Sequence, residues 1–97
     1  MTRAAMKFRN RVAGWTQKLA VKPRQVRIQA MVNKWASCSA AGRVTFSLDL
    51  PSQPASFQDY VIAHELLHLR IRNHGKLFLA TLRAHLQGNR WLESDRR

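Results

Sequence analysis

The chain has 97 residues, a formal net charge of +12 and one cysteine, and 45% of its residues are hydrophobic. A chain of this length buries about 60–68% of the surface that it exposes when unfolded, which excludes two independent lobes. The hydrophobic content excludes a wholly disordered chain. Cys38 is the only cysteine, which excludes an intramolecular disulfide and favours a reducing compartment, so we expect a cytoplasmic protein.

The first half of the chain predicts one helix and two strands. Residues 4–20 have apolar side chains at steps of three and four, which is typical of an amphipathic helix that ends before Pro23. This acid-free, arginine-bearing start also resembles an organelle transit segment, an alternative that we favour less because the helical pattern is regular. Residues 26–32 and 44–50 alternate between apolar and polar, and small residues with Gly42 lie between them. We therefore expect an antiparallel β-hairpin over 26–50.

The second half predicts two further helices. Ser56 and Asp59 have the spacing of a capping pair that opens a helix over 56–72. This helix is apolar on nearly all sides, so it must be buried between other elements. A last helix is predicted over 75–87, ended by Gly88, and residues 93–97 are expected to form a frayed, charged tail. The prediction is a single α+β domain over 1–97, ordered helix, strand, strand, helix, helix, with a small antiparallel sheet packed on the buried helix. No stretch reaches the roughly 18 apolar residues of a membrane span, so no membrane partner is expected.

The buried helix contains the sequence His64-Glu65-Leu66-Leu67-His68. Residues four apart lie one above the other on a helix face, so both imidazoles can bind one metal ion. Glu65 lies about 100° around the helix axis from His64, within reach of a water on that metal, and is the candidate general base. The alternative is a pair of inert, hydrogen-bonded core histidines. We favour the metal because burying these polar groups is costly unless a cation pairs with them.

A catalytic zinc takes three protein ligands, and His74 is the candidate for the third. On a continued helix His74 would lie roughly 15 Å from His64, so the chain must turn back just after Arg72. Asn73 suits this turn because asparagine tolerates the left-handed conformation. We expect His85 to be a surface or packing residue.

The loop Trp35-Ala36-Ser37-Cys38, the strand after it, and the helix with its trailing Asn-His and a Phe four residues later resemble the YgjP-like family of zinc metallopeptidases. This family is related to the SprT-type and Wss1-like proteases. The resemblance covers about residues 19–92 and differs from the usual family pattern at three positions, which are Ala36, Gly75 and Leu79.

The resemblance implies a minimal zincin-like domain that binds one zinc ion per chain through His64, His68 and His74. It implies that peptide or protein substrates are hydrolysed by a metal-activated water, with Glu65 as the general base. Phe78 would be the packing aromatic of the site.

Several assignments stay open on the sequence. Tyr60 either forms a hydrogen bond near the site or only packs, and Cys38 either reaches the zinc or packs its loop on the helix. The strand at 44–50 either offers an open edge to an extended peptide or is an internal strand of the hairpin, and the two interpretations are compatible. The charge makes DNA or another nucleic acid a candidate partner, and the kinship with proteases of DNA-attached proteins points the same way.

A second function class is therefore a small, basic, zinc-stabilised nucleic-acid-binding module without peptidase activity. Structural zinc sites are usually closed by four protein ligands, and Cys38 would then be the fourth. The sequence predicts no oligomeric state.

Overall fold

Three helices and one three-stranded sheet follow one another along the chain in a computed structural model, which describes residues 2–95 and the side chains of residues 2–92. The elements are α1 (Arg3–Leu19), β1 (Gln25–Gln29), β2 (Ala36–Cys38), β3 (Arg43–Ser47), α2 (Ala55–Leu67) and α3 (Lys76–His85), with short 3-10 helices at Leu50–Ser52 and Arg90–Asp95. The predicted α+β class is confirmed. Within residues 2–95, no helix combines the length and the apolar content needed to cross a membrane.

The sheet differs from the predicted hairpin in its strand number and direction. The strand order is β1-β3-β2; β3 pairs antiparallel with β2 and parallel with β1. The loop predicted between two strands itself contains β2, so the chain reverses twice between β1 and β3, and two reversals restore the original direction. The first strand is shorter than the alternating pattern at 26–32 predicts, because it ends at Gln29. Val32, predicted to be on its buried face, is 80% exposed. Asn33, with φ of 61°, turns the chain out of strand geometry soon afterwards.

Helix α2 lies at the centre of the core, as its apolar sequence predicts. Its buried apolar residues are Val61, Ile62, Ala63, Leu66 and Leu67. Helix α1 packs against it, and the Asp59 carboxylate accepts hydrogen bonds of 2.8 Å from both Arg11 and Trp15 of α1. The predicted capping pair is therefore wrong: Asp59 binds α1, and the N-cap residue Pro54 makes no side-chain cap. The helix also ends at Leu67, five residues before its predicted end, in a series of tight turns.

Helix α3 covers the remaining side of α2 with the buried residues Phe78 and Leu82. It starts and ends inside the predicted range of 75–87, and Gly88 has the positive φ of 80° expected after a helix end. The tail predicted to fray at 93–97 continues to Asp95 as part of the second 3-10 helix, and residues 96 and 97 lie outside the described residues.

The C-terminus of α1 yields a stability prediction. Ala20 has the left-handed φ of 55°, and its N–H donates to the carbonyl of Gln17. Because glycine adopts this conformation without a side-chain clash, we expect Ala20→Gly to raise the free energy of unfolding by about 0.5–1 kcal/mol and the Tm by roughly 2–8 °C. The matched control is Ala13→Gly at a solvent-exposed position in the middle of α1. We expect this substitution to lower the free energy of unfolding by about 0.5–1 kcal/mol. Equal destabilisation by both substitutions, measured by thermal unfolding, would contradict the assignment of strain to Ala20.

Candidate metal centre

Three imidazole rings converge beside the C-terminal half of α2. The Nε2 atom of His74 lies 3.1 Å from Nε2 of His64 and 3.0 Å from Nε2 of His68. The ligand atoms of the three residues all lie within 4.8 Å of one another. His64 lies in the last turn of α2 and His68 is its C-cap residue, whereas His74 comes from the segment between α2 and α3. The structure thus brings together the three histidines that the sequence singled out.

The backbone fixes which nitrogen of His68 faces the other rings. His68 Nδ1 lies 3.0 Å from the carbonyl oxygen of Ile71, and because a carbonyl can only accept, Nδ1 carries the proton. In the neutral ring the Nε2 lone pair therefore points at His74. The pKa of His68 is lowered chiefly by burial and also by His74 and Arg72, against the bond to Ile71, which raises it. The neutral form, which binds metals, is thereby favoured.

Phe78 forms the floor under all three imidazoles. Its ring stacks on His68 with a centroid separation of 4.6 Å and an interplanar angle of 23°. It also makes edge contacts with His64 at 5.2 Å and His74 at 4.9 Å. Since Phe78 is fully buried, it gives the three rings a rigid apolar support and restricts their rotation.

The turn that returns His74 to the site is made differently from the predicted one. Asn73 is not among the described residues with positive φ. Instead its side-chain oxygen accepts a 3.0 Å hydrogen bond from the N–H of Gly75, which closes an Asx turn around His74. A Cβ atom at position 75 would lie 3.0 Å from this same oxygen, so Gly75 permits the close approach. The side chain of Asn73, and not its backbone, makes this turn.

The donor set fits a divalent cation. Two ligands bound tetrahedrally to zinc at 2.0–2.1 Å are about 3.3–3.4 Å apart, close to the two short nitrogen–nitrogen distances here. A single N–H on His74 can satisfy only one of its two ring neighbours, whereas one cation accepts a lone pair from each ring. Three neutral imidazoles are also a ligand set that zinc prefers. Among the side chains of residues 2–92, the group of converging ligand atoms contains these three histidines and does not include Cys38.

Cys38 instead is the last residue of β2, where it pairs with Val44 of β3. Its Sγ atom accepts a 3.8 Å contact from Arg72 Nη1, and Arg72 also donates to the carbonyl of His68. The pKa of the Cys38 thiol is raised, first by burial and also by the charge of Glu65, while Arg72 lowers it. The thiol therefore favours its protonated form, which is a poor metal ligand.

The comparisons with known proteins agree with this geometry. A family model for the YgjP-like metallopeptidase domain matches residues 1–96. This chain belongs to the YgjP-like family. Among solved structures, it is similar to the metallopeptidase zymogen jannalysin of Methanocaldococcus jannaschii, with 25% identity, a TM-score of 0.75 and coverage of 84% of each chain. No curated protein sequence matches the chain.

Other residues of this YgjP-like metallopeptidase domain were missed or left open by sequence reasoning. The Ile71 carbonyl and Arg72 have no recognisable motif, because their roles depend on where the chain turns after α2. Tyr60 lies against His64, with ring centroids 5.9 Å apart. His85 is exposed and contacts Trp15 edge-on, in agreement with its expected packing role.

The Asx turn generates a prediction about metal affinity. Asn73→Ala removes the hydrogen bond that returns His74 to the other two rings, so we expect zinc affinity to fall by about tenfold, measured by competition with a chromogenic chelator. Asn73→Asp keeps an acceptor oxygen and should retain most of the affinity. Cys38→Ser is the control outside the donor set and should leave zinc content unchanged. Wild-type affinity in Asn73→Ala would contradict a positioning role for this turn.

Proposed function

We propose that this chain is a zinc-dependent metallopeptidase that hydrolyses peptide bonds in peptide or protein substrates. In this proposal His64, His68 and His74 hold one zinc ion per chain and Glu65 is the general base. The observation that supports it most strongly is the convergence of three imidazole Nε2 atoms next to the helix that carries Glu65. The lone, protonated Cys38 is consistent with a cytoplasmic site of action.

In the proposed reaction the metal ion activates the substrate and the water, and side chains of the protein transfer the proton. Zinc, when bound, polarises the substrate carbonyl and makes a water acidic enough to react near neutral pH. Glu65 accepts the proton of the attacking water and then delivers it to the leaving amine. The Ile71 carbonyl and Phe78 keep the histidines oriented during this sequence, because one fixes a tautomer and the other restricts the rings.

Substrate backbone binding is proposed at β2. The open-edge interpretation of the strand at 44–50 is wrong, because β3 is the central strand, with β1 on one side and β2 on the other. Trp35 and Ser39, which flank β2, both form hydrogen bonds of 2.9 Å with β3. Since alternate residues of a strand direct their N–H and C=O groups to opposite edges, those of Ala36 and Cys38 point away from β3. An extended peptide can pair with these groups.

The general base is tested with Glu65→Gln. Glutamine keeps the shape of the side chain but cannot accept the proton, so we expect zinc content to be unchanged. Hydrolysis of an unfolded protein should fall by roughly a hundredfold or more. Metal content is measured by elemental analysis and cleavage by mass spectrometry of the products.

Two histidine variants are the matched controls for this experiment. His74→Ala should lose both metal and activity, whereas His85→Ala, outside the centre, should keep both. Cleavage by Glu65→Gln at the wild-type rate, or no Glu65-dependent cleavage by the wild type, would refute the proposed peptidase.

A second candidate function, nucleic-acid binding, is favoured by a groove on α1. The groove has a volume of about 610 Å³ and is lined by Lys7, Asn10, Arg11 and Lys18 from α1 and by Asp59 from α2. Arg11 pairs with Asp59 at 2.8 Å, so the two lysines supply the groove with its net positive charge. With a chain charge of +12, this cationic surface suits a phosphate backbone. A peptidase with this surface would act on DNA-associated protein.

The charge of this groove predicts a salt-dependent affinity for DNA. We expect binding to a short duplex, measured by fluorescence anisotropy, to weaken steeply as salt is raised. Lys7→Gln with Lys18→Gln should reduce the slope of log affinity against log salt by about two. The control pair, Lys34→Gln with Arg83→Gln, removes the same charge outside the groove and should change the slope less. Absence of binding at low salt would remove nucleic acid as a partner.

A further inference from the structure

A group of four aromatic rings adjoins the histidine centre, and we call it the aromatic ledge: Trp35, Phe57, Tyr60 and Trp91. Phe57 is at its middle, with ring centroids 5.2 Å from Trp35, 4.8 Å from Trp91 and 6.4 Å from Tyr60. Tyr60 connects the ledge to the centre through its edge contact with His64 at 5.9 Å. Three separate parts of the chain thus meet at one aromatic surface that is continuous with the metal site.

The ledge is the place where this small protein leaves aromatic surface accessible. Three of its four phenylalanines, Phe8, Phe46 and Phe78, are almost completely buried, whereas Phe57 is only half-buried and Trp35 remains 39% exposed. Each exposed aromatic ring forgoes the free energy that burial would give. Apolar surface that stays accessible beside a candidate active site is suited to binding an apolar ligand group.

The spacing along α2 relates the ledge to the cleaved bond. Phe57, Tyr60 and His64 follow one another at steps of three and four residues and so share one face of the helix. At 1.5 Å per residue, Phe57 lies about 10 Å from His64 along the axis. An extended peptide advances about 3.3 Å per residue, so a side chain on the ledge belongs to a residue two or three positions from the cleaved bond.

The open edge of β2 gives the peptide a direction. Trp35 immediately precedes β2 and contacts Phe57, whereas Cys38, at the other end of the strand, contacts Arg72, which also donates to the carbonyl of His68. A peptide added antiparallel to β2, the slightly more stable pairing, starts at the Cys38 end, on the side of His68, and runs towards Trp35. Its residues over the ledge then follow the cleaved bond in sequence.

We propose that the aromatic ledge is a specificity site that binds an aromatic or bulky apolar side chain located two or three residues after the cleaved bond. This inference rests on the proposed peptidase function and adds its substrate class. Edge-to-face contacts with Trp35 and Phe57 supply the recognition, and β2 supplies the backbone pairing. The preference that this produces is roughly tenfold or more in kcat/KM for a large apolar residue over a small polar one at the preferred position.

The test is a cleavage profile on a library of unstructured peptides, read by mass spectrometry, with the zinc-loaded full-length protein. We expect enrichment of Phe, Tyr, Trp or Leu at the second or third position after the cleaved bond. Trp35→Ser should abolish this enrichment with zinc content unchanged, and Phe57→Leu, which keeps an apolar side chain, should weaken the preference for aromatic residues. Met6→Ala, which removes an exposed apolar side chain from α1, is the matched control and should leave the profile as in the wild type.

The outcomes separate this inference from the proposed function. Glu65-dependent cleavage without any preference at these two positions would refute the aromatic ledge as a specificity site but would still support the proposed peptidase function. The same conclusion would follow if Trp35→Ser and Phe57→Leu both kept the wild-type preference for large apolar residues. No Glu65-dependent cleavage of the library would overturn both together. If Trp35→Ser fails to fold, the wild-type profile and Phe57→Leu decide the question alone.

Discussion

The candidate metal centre depends on holding the Nε2 atom of His74 about 3 Å from the Nε2 atoms of both other histidines, so that all three can bind one cation. Two of the rings are fixed by helical spacing, and the third must be returned from a segment that leaves the helix. Phe78 makes this possible, because a single buried ring contacts all three histidines and connects α3 to the end of α2. The centre and the packing of the C-terminal helix therefore have one common support.

The early end of α2 has a functional consequence. A helix running to residue 72 would direct the Ile71 carbonyl along its axis, whereas the turns after Leu67 direct it to His68 Nδ1. The same hydrogen bond selects the tautomer whose lone pair faces the other rings. Backbone geometry thus sets the tautomer of a candidate ligand, as outer-shell carbonyls do in metal sites generally.

The arrangement of the sheet decides which surface a substrate can use. β3 is enclosed by β1 and β2, so the two outer strands are the edges of the sheet. Of these edges, β2 contacts α2 and is only three residues long. A strand of this length pairs with few backbone groups, so side-chain contacts must add to substrate recognition. The aromatic ledge, which includes Trp35, lies where such contacts would be made. The cationic groove on α1 is formed by different residues and is available to a different partner.

The sequence by itself determined the α+β class, the buried helix, and the three histidines and one glutamate proposed for the centre. It could do so because helical periodicity and the spacing of His64 and His68 are local properties. The parallel pairing of β1 with β3, the short β2 and the role of Asp59 in binding α1 were decided only by tertiary structure. These features depend on contacts between residues far apart in the chain, such as the one between Asp59 and Arg11, to which local alternation and capping patterns are insensitive. The turn that brings His74 to the other histidines was determined partly by the sequence and partly by the fold. The sequence required a turn after Arg72, but only the tertiary structure showed that the Asn73 side chain makes it. An Asx turn is defined by a hydrogen bond, which residue type alone does not reveal.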